Sequence, residues 1–396
     1  MKISKFSLAA LTAIGTLSCV NAATLEESLK EVQPSVFERL KIDGFARAKI
    51  NVKDKDSSDN TIEDIRLSAQ LNVLYAASDK LAFGTTLAAD KNENPAGAAS
   101  HPIAGYTASN NKGLYIDRFY LKYMANDFTV IGGKQDIYSP WTETGFNSSR
   151  GNGLSALYKG VEEWTFAAAA FSQTNGFDDT NLGAPDIGSH HNLYAAGAIG
   201  AFKDIGLDLQ LWGGAYEKTI DTALFADIKY QIAGFNIRGQ LNYSKLDKDF
   251  ADNKSYTDDD GIFFGVEAGY KNDLFSVGAS YTKNDKKQPV YGLDGDNIGF
   301  IKIGSDLYYY MINVRDVQTY YVKGGLYFDK LSFRAGYGVL ESGEKGYDGT
   351  ISEAHAGVHY QYLKDFGVDL TLASLDGGGT GISDSISGTL ELFYRF

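Results

Sequence analysis

The chain has 396 residues, with 50 acidic side chains against 37 basic ones and a formal net charge of −13. That balance excludes nucleic-acid binding, which asks for a basic face, and favours a surface or passage that attracts cations. Its single cysteine excludes a disulfide framework, and no apolar run after the N-terminus approaches the length of a membrane helix.

Residues 1–22 read as a secretory signal. Lys2 and Lys5 supply the positive start, Phe6 to Leu17 the apolar core and Val20-Asn21-Ala22 the cleavage box. Cys19 lies inside this segment, and a lipid anchor on it is the competing reading, disfavoured by Thr16 at the start of a lipobox. Removal of the segment takes away two lysines and moves the charge from −13 to about −15. Residues 23–39 form a short periplasmic lead-in, where Thr24-Leu25-Glu26-Glu27 resembles a capping box and Pro34 ends the helix it opens.

Residues 40–396 carry the alternation of strands with one wet and one greasy face. Ile42, Gly44, Ala46, Ala48 and Ile50 share one face, and Lys41, Asp43, Arg47, Lys49 and Asn51 the other. The pattern repeats with Ile65, Leu67, Ala69, Leu71 and Val73 against Asp64, Arg66, Ser68, Gln70 and Asn72. Two charged ladders in succession suit a wall between lipid and water. Further strands are predicted near 81–90, 114–125, 128–135, 154–159, 164–172, 193–202, 207–217, 222–231, 235–245, 262–271, 274–282, 317–328, 331–340, 351–362, 368–375 and 385–396.

Short turns such as 76–80, 126–127, 272–273 and 329–330 alternate with longer polar loops at 91–113, 136–153, 173–192, 246–261, 283–316 and 376–384. The last strand ends on Phe396, with Leu390, Leu392, Tyr394 and Phe396 outward and Phe393 an apolar intruder on the inward side. The predicted fold is therefore an all-β, transmembrane antiparallel barrel, porin-like, with eighteen strands and sixteen as the alternative count. Trp164, Phe202, Phe235, Tyr270, Tyr281, Phe328 and Tyr362 are placed for interface girdles.

Two stretches depart from the pattern. In 114–125, Asp117 and Phe119 fall on one face, which predicts a bulge or a protein-covered wall. In 283–316, Tyr308-Tyr309-Tyr310-Met311-Ile312 suggests an extra extracellular strand or an aromatic lip.

No catalytic constellation is evident, and the chain is not read as an enzyme. His101, His190 and His191 fall in loops. His355 and His359 share an inward face about 13 Å apart by strand rise, too far to ligate one ion unaided. The loop 136–153 mixes Asp136, Trp141, Glu143 and Arg150; folded into the lumen, it would form a constriction, and left outside it would be an ordinary exposed loop. The candidate pore-lining and constriction residues are Arg47, Arg66, Arg118, Lys134, Asp136, Glu143, Arg150, Arg238, Glu267 and Arg334, with Asp208 and Glu353 also predicted to face water. Loop 246–261, rich in aspartate, reads as a solvated acidic rim, because its spacing misses the EF-hand pattern.

Several of these stretches resemble one family. They are Thr24-Leu25-Glu26-Glu27, the run from Leu114 to Tyr123, Gly133-Lys134-Gln135 followed by Trp141-Thr142, and the strand ending on Phe396. They resemble the major outer membrane porins of Campylobacter and related epsilonproteobacteria. The resemblance is most specific between 113 and 171. It implies an eighteen-stranded homotrimeric general porin with a constriction shaped by the third loop and calcium close by. Glu143 matches the first acidic position after the Trp-Thr pair and is the one candidate calcium ligand carried over. The next acidic position falls on Asn147, which departs from the pattern, as does the lead-in around Pro34.

The leading functional expectation is a passive, cation-preferring diffusion channel for ions and small hydrophilic solutes in the outer membrane of a bacterial cell, surrounded by lipid and lipopolysaccharide. No cofactor is required; calcium is the one candidate. A surface adhesin or structural barrel is the second expectation. A channel specific for small carboxylates, using Arg47, Arg66 and Arg334, is the third.

Overall fold

In the computed structural model, residues 39–55, 62–93, 112–142, 150–175, 192–253, 258–290, 299–304, 307–345, 347–380 and 382–396 are described. The proposed signal, the lead-in up to residue 38, and Glu143, His101, His190 and His191 lie outside them.

Eighteen strands follow one another: β1 (Leu40–Lys55), β2 (Ile62–Ala76), β3 (Leu81–Glu93), β4 (Lys112–Ala125), β5 (Phe128–Asp136), β6 (Arg150–Val161), β7 (Trp164–Asn175), β8 (Leu193–Phe202) and β9 (Leu207–Tyr216). The second half comprises β10 (Ile220–Ile232), β11 (Phe235–Leu246), β12 (Asp260–Lys271), β13 (Phe275–Asn284), β14 (Val317–Phe328), β15 (Leu331–Ser342), β16 (Gly349–Leu363), β17 (Phe366–Asp376) and β18 (Ser385–Arg395). Each strand pairs antiparallel with the next, and β1 pairs with both β2 and β18, so the sheet closes into a barrel. No described helix is long and apolar enough to cross a membrane.

Closure satisfies the backbone. An open edge in hydrocarbon would strand a row of N–H and C=O groups at several kcal/mol each, whereas a closed barrel leaves none. The seam runs from Phe45↔Arg395 to Lys55↔Ser385, and beyond it Gly44 and Phe396 exchange a pair of hydrogen bonds of 3.0 and 3.1 Å. The terminal phenylalanine is thus the last rung of the seam. Gly44 is small for a reason: a Cβ there would overlap the Gln70 carbonyl and come 2.7 Å from the Phe396 ring.

Exposed apolar side chains occupy the outward rows, among them Ile42, Leu67, Phe119, Leu154, Leu224, Ile237, Val322, Leu372 and Ile386. At the end of the short turns, aromatic pairs form a belt: Trp164 against Phe202 (5.6 Å between ring centres), Phe235 against Tyr270 (4.8 Å) and Phe328 against Phe333 (6.3 Å). The turns are tight because their residues accept positive φ, as at Asn126 and at Ala233-Gly234.

Two expectations need correction. Tyr308 to Ile312 is neither a strand nor a lip: it belongs to α2 (Leu307–Asn313), which lies inside the barrel with Leu307, Met311 and Ile312 buried. Loop 246–261 is more than a solvated rim, since its α1 (Lys248–Asn253) buries Phe250 and Ala251 in the interior cluster. The predicted irregularity near 114–125 is a β-bulge. Thr86 pairs with Arg118 and Leu87 with Ile116, so Asp117 is the extra residue.

Replacing Gly44 by leucine overfills the seam, at a cost of about 1–3 kcal/mol. The heat-modifiable barrel form recovered on refolding should fall clearly below that of the parent chain, by gel mobility. Equal recovery would contradict the seam argument.

Candidate functional site

The inward rows divide into a polar sector and an apolar one. From β1 to β6 the buried inward side chains are largely polar: Arg66, Ser68, Gln70, Thr86, Arg118 and Gln135, with Ala82 and Ala88 between them. From β7 to β17, near the ends that carry the long connections, they are largely apolar: Phe171, Leu193, Trp212, Phe225, Leu246, Phe263, Leu340, Ile351 and Leu375. Apolar groups facing a wide aqueous pore would be unfavourable at roughly 25 cal/mol per Å². Here chain segments from the β5–β6 and β13–β14 connections cover them.

The first segment leaves β5 after Asp136. Ile137 is buried, Thr142 folds its hydroxyl back onto the Ile137 carbonyl (2.6 Å), and Trp141 is fully buried. The Trp141 indole N–H donates to Asn242 Oδ1 of β11 at 2.8 Å, and its ring meets Phe225 edge-on. β11 lies six strands round the barrel from β5, so this segment reaches across the lumen.

The second segment leaves β13 after Asn284. Gly299 O accepts from Arg238 (2.9 Å) and from Gln240 (2.6 Å), and Ile301 N–H donates to Gln240 Oε1 (2.8 Å). Phe300 packs edge-on against Phe225 and Phe263. Farther on, Leu307 N–H donates to Glu353 at 2.8 Å, and Asn284 binds the Met311 and Val314 carbonyls. The two segments touch where Gly299 meets Pro140, since a Cβ on Gly299 would overlap the Pro140 carbonyl.

At the root of the first segment sits a cluster of four buried charges. Asp136 and Arg150 face each other in register across β5 and β6. Arg118 pairs with Asp136, Arg150 Nε lies 2.7 Å from Asp117, and the Tyr138 hydroxyl donates to Asp136 at 2.9 Å. Arg118 also donates to Asn72 (3.1 Å), which ties the cluster to β2. The bulge at Asp117 makes the cluster possible by turning two successive residues, Asp117 and Arg118, into the interior.

On the β14–β18 side, the inner wall carries paired charges and flat-lying rings. Arg334 forks onto Asp369 (2.8 Å to Oδ2), Lys323 pairs with Glu267, and the His355 ring stacks near Tyr321 and bonds its hydroxyl at 3.0 Å. His359 lies 3.6 Å from Asp369 and stacks near Phe393, the inward intruder of the last strand.

The whole architecture is that of an outer-membrane channel, and its sequence matches the Campylobacter major outer membrane protein over residues 1–369. The chain belongs to that family. As a member of it, the protein resides in the outer membrane. Its barrel is similar to those of Pseudomonas aeruginosa OpdK crystallised with vanillate (TM-score 0.72, 15% identity, 91% of this chain and 99% of that one), and Acinetobacter baumannii OccAB1 (0.73, 13%, 90% and 96%). Pseudomonas aeruginosa OccK5 (OpdH) is similar too (0.69, 13%, 92% and 99%). At such identities the likeness is one of fold. No curated protein matches the chain in sequence.

The structure distributes the sequence-predicted site residues of this family member among different tasks. Arg118, Asp136 and Arg150 come together in the four-charge cluster. Arg47 and Arg66 stand on the inward rows of β1 and β2, with Lys49 directly opposite Arg66. Lys134, half-buried, stands opposite Phe119 of β4 and Asn152 of β6, two residues before Asp136 on the same strand. Arg334 of β15 pairs with Asp369 of β17, and Glu267 of β12 with Lys323 of β14. The expectation that Arg238 and Glu353 simply face water is corrected: Arg238 fastens the second segment, and Glu353, 1% exposed, lies beneath it. Sequence reading missed Asp117, Asp227, Gln240, Asn242 and Asn284 as fasteners; the last four lie on inward rows, and the parity break at Asp117 is the signal that could have marked the first.

The described carboxylates at the constriction do not fit a calcium ion. Asp117 and Asp136 are each met by a guanidinium, and the described carboxylate group with metal-like spacing, Asp258, Asp259 and Asp260, sits in the β11–β12 connection. There Asp258 and Asp260 both hold Lys287, at 3.1 and 2.6 Å.

Replacing Asp117 by asparagine leaves Arg150 facing an uncharged partner in a buried site, a loss of about 3 kcal/mol. Denaturant unfolding in lipid vesicles should show it. The double variant Asp117→Asn, Arg150→Gln should recover part of the loss, and additive effects would contradict a coupled pair.

Proposed function

We propose that this outer-membrane protein is a passive diffusion channel, assembled as a homotrimer, for ions and small hydrophilic solutes. The observation that carries the proposal is the division of the lumen. Two inward segments cover the apolar rows, while the β1–β6 rows and the β14–β18 wall carry the polar and charged side chains that would border a passage. Sieving through such a restricted passage, with a field set by the charges lining it, is sufficient for diffusive selection. The acidic balance of the chain and Glu143 in the first segment support a preference for cations.

A second reading, uptake of small carboxylates, is favoured by one observation. Lys49 and Arg66 stand directly across from each other, with Arg47 two residues along the same inward row. Such a run of basic side chains on one inward face offers a passing carboxylate a favourable field. OpdK, a structural neighbour, has been crystallised with vanillate.

Single-channel current across a planar bilayer under a salt gradient tests the proposal. Stepwise conductance with a cation-signed reversal potential is the expected result, and Glu143→Gln should shift that potential toward zero. Liposome swelling should slow smoothly with solute size. Saturable carboxylate uptake that Lys49→Gln abolishes would replace the first reading by the second.

A further inference from the structure

We infer that the size limit of the channel is set by the second inward segment, and that Asp227, Arg238 and Gln240 are the residues that fix it. The inference rests on the channel reading above and assigns its specificity to a part of the chain outside the third loop.

Arg238 forks onto Asp227, with Nε 3.1 and 3.0 Å from the two carboxylate oxygens, and uses Nη2 to reach Gly299 O as well. Gln240 donates to Asp227 at 2.8 Å and to Gly299 O at 2.6 Å, while its own oxygen accepts the Ile301 N–H. One carboxylate thus orients two side chains, and those two hold the main chain of the segment at two residues. Charge-assisted and bidentate bonds are the stronger kind, and the buried setting of Asp227 and Gln240 strengthens theirs. Phe300, between the two held residues, is 1% exposed against Phe225 and Phe263, which pins the segment between its polar ties.

The third loop depends on this arrangement. Its Pro140 rests on Gly299, and its Trp141 packs on Phe225, the ring that also receives Phe300. The reverse dependence is weaker, because the Asp227–Arg238–Gln240 ties run to the barrel wall without passing through the third loop. Releasing the ties therefore frees both segments, whereas cutting the Trp141–Asn242 bond frees one. The three residues are positioning residues: they act on the passage through the segment they hold.

The test compares three refolded proteins in planar bilayers and in swelling assays: the parent, Arg238→Met with Gln240→Leu, and Trp141→Phe. The paired substitution keeps side-chain volume while removing the ties. Its conductance should rise roughly twofold, and it should admit oligosaccharides that the parent excludes, with Trp141→Phe intermediate. Heat-modifiable mobility and far-ultraviolet dichroism verify the barrel. If the paired variant cannot refold, Asp227→Asn, which leaves every donor in place, should give the same change at smaller size. Parent-like conductance and size limit in a folded variant would overturn the inference. A folded parent that conducts nothing would overturn the channel reading instead.

Discussion

The structure depends on one constraint: a sheet that crosses hydrocarbon can leave no backbone group unpaired. Closure of β1 on β18 meets it, and the Gly44–Phe396 hydrogen bonds complete it at the rim. Strand geometry then sends alternate side chains to opposite sides, so lipid selects the outward row and most charged groups of the strands are driven inward. The lumen is left with more chemistry than a plain water-filled tube needs. What distinguishes this barrel is how that interior is occupied.

Buried charges inside it are paired, as their desolvation demands. Asp117, Arg118, Asp136 and Arg150 brace the root of the third loop, Asp227 with Arg238 holds the second segment, and Arg315 with Glu344 braces the chain as it enters β14. The first and last of these sit where a segment leaves the wall or returns to it, whereas Asp227 and Arg238 stand on the β10–β11 wall against which the second segment is held. The ion pairs thus fix where loops turn inward, and the apolar cluster supplies the burial that keeps them there. Glu353 shows the two working together: it lies under the second segment and takes the Leu307 N–H, with His355 Nδ1 3.2 Å away.

How much of this was legible in the sequence follows from the same physics. β1 and β2 could be read directly, because their inward rows are Arg47, Lys49, Arg66 and Gln70 against an apolar outside. β10 could not be read so cleanly, because Phe225 faces the interior cluster while Leu224 faces lipid, and alternation vanishes when both sides are dry. The parity break at Asp117 pointed to a bulge, since a two-residue period fails where one residue is inserted. The tyrosine run at 308–310 misled, because its composition favours strand. The four-residue spacing of Leu307 and Met311 was the helical signal. Parity also placed Arg238 and Glu353 on the inward side correctly, yet a face does not reveal what covers it. That depends on contacts such as Gly299 to Gln240, 59 residues apart, which no local pattern encodes.

Barrels sharing 13–15% identity with this one keep nearly its whole course, so the wall is compatible with many interiors. Function must then be sought where the inward row carries unfavourable juxtapositions that closure does not require. One register row runs through His359, Asp369, Glu391, Lys49 and Arg66 on five consecutive strands. Two acids stand side by side, then two bases. An order alternating in sign would be the more stable choice for cross-strand neighbours. Segregation instead produces a field directed around the inner wall, at right angles to the barrel axis. A folding requirement alone gives no reason for that order, whereas the proposed channel, sorting solutes by charge as well as by size, would.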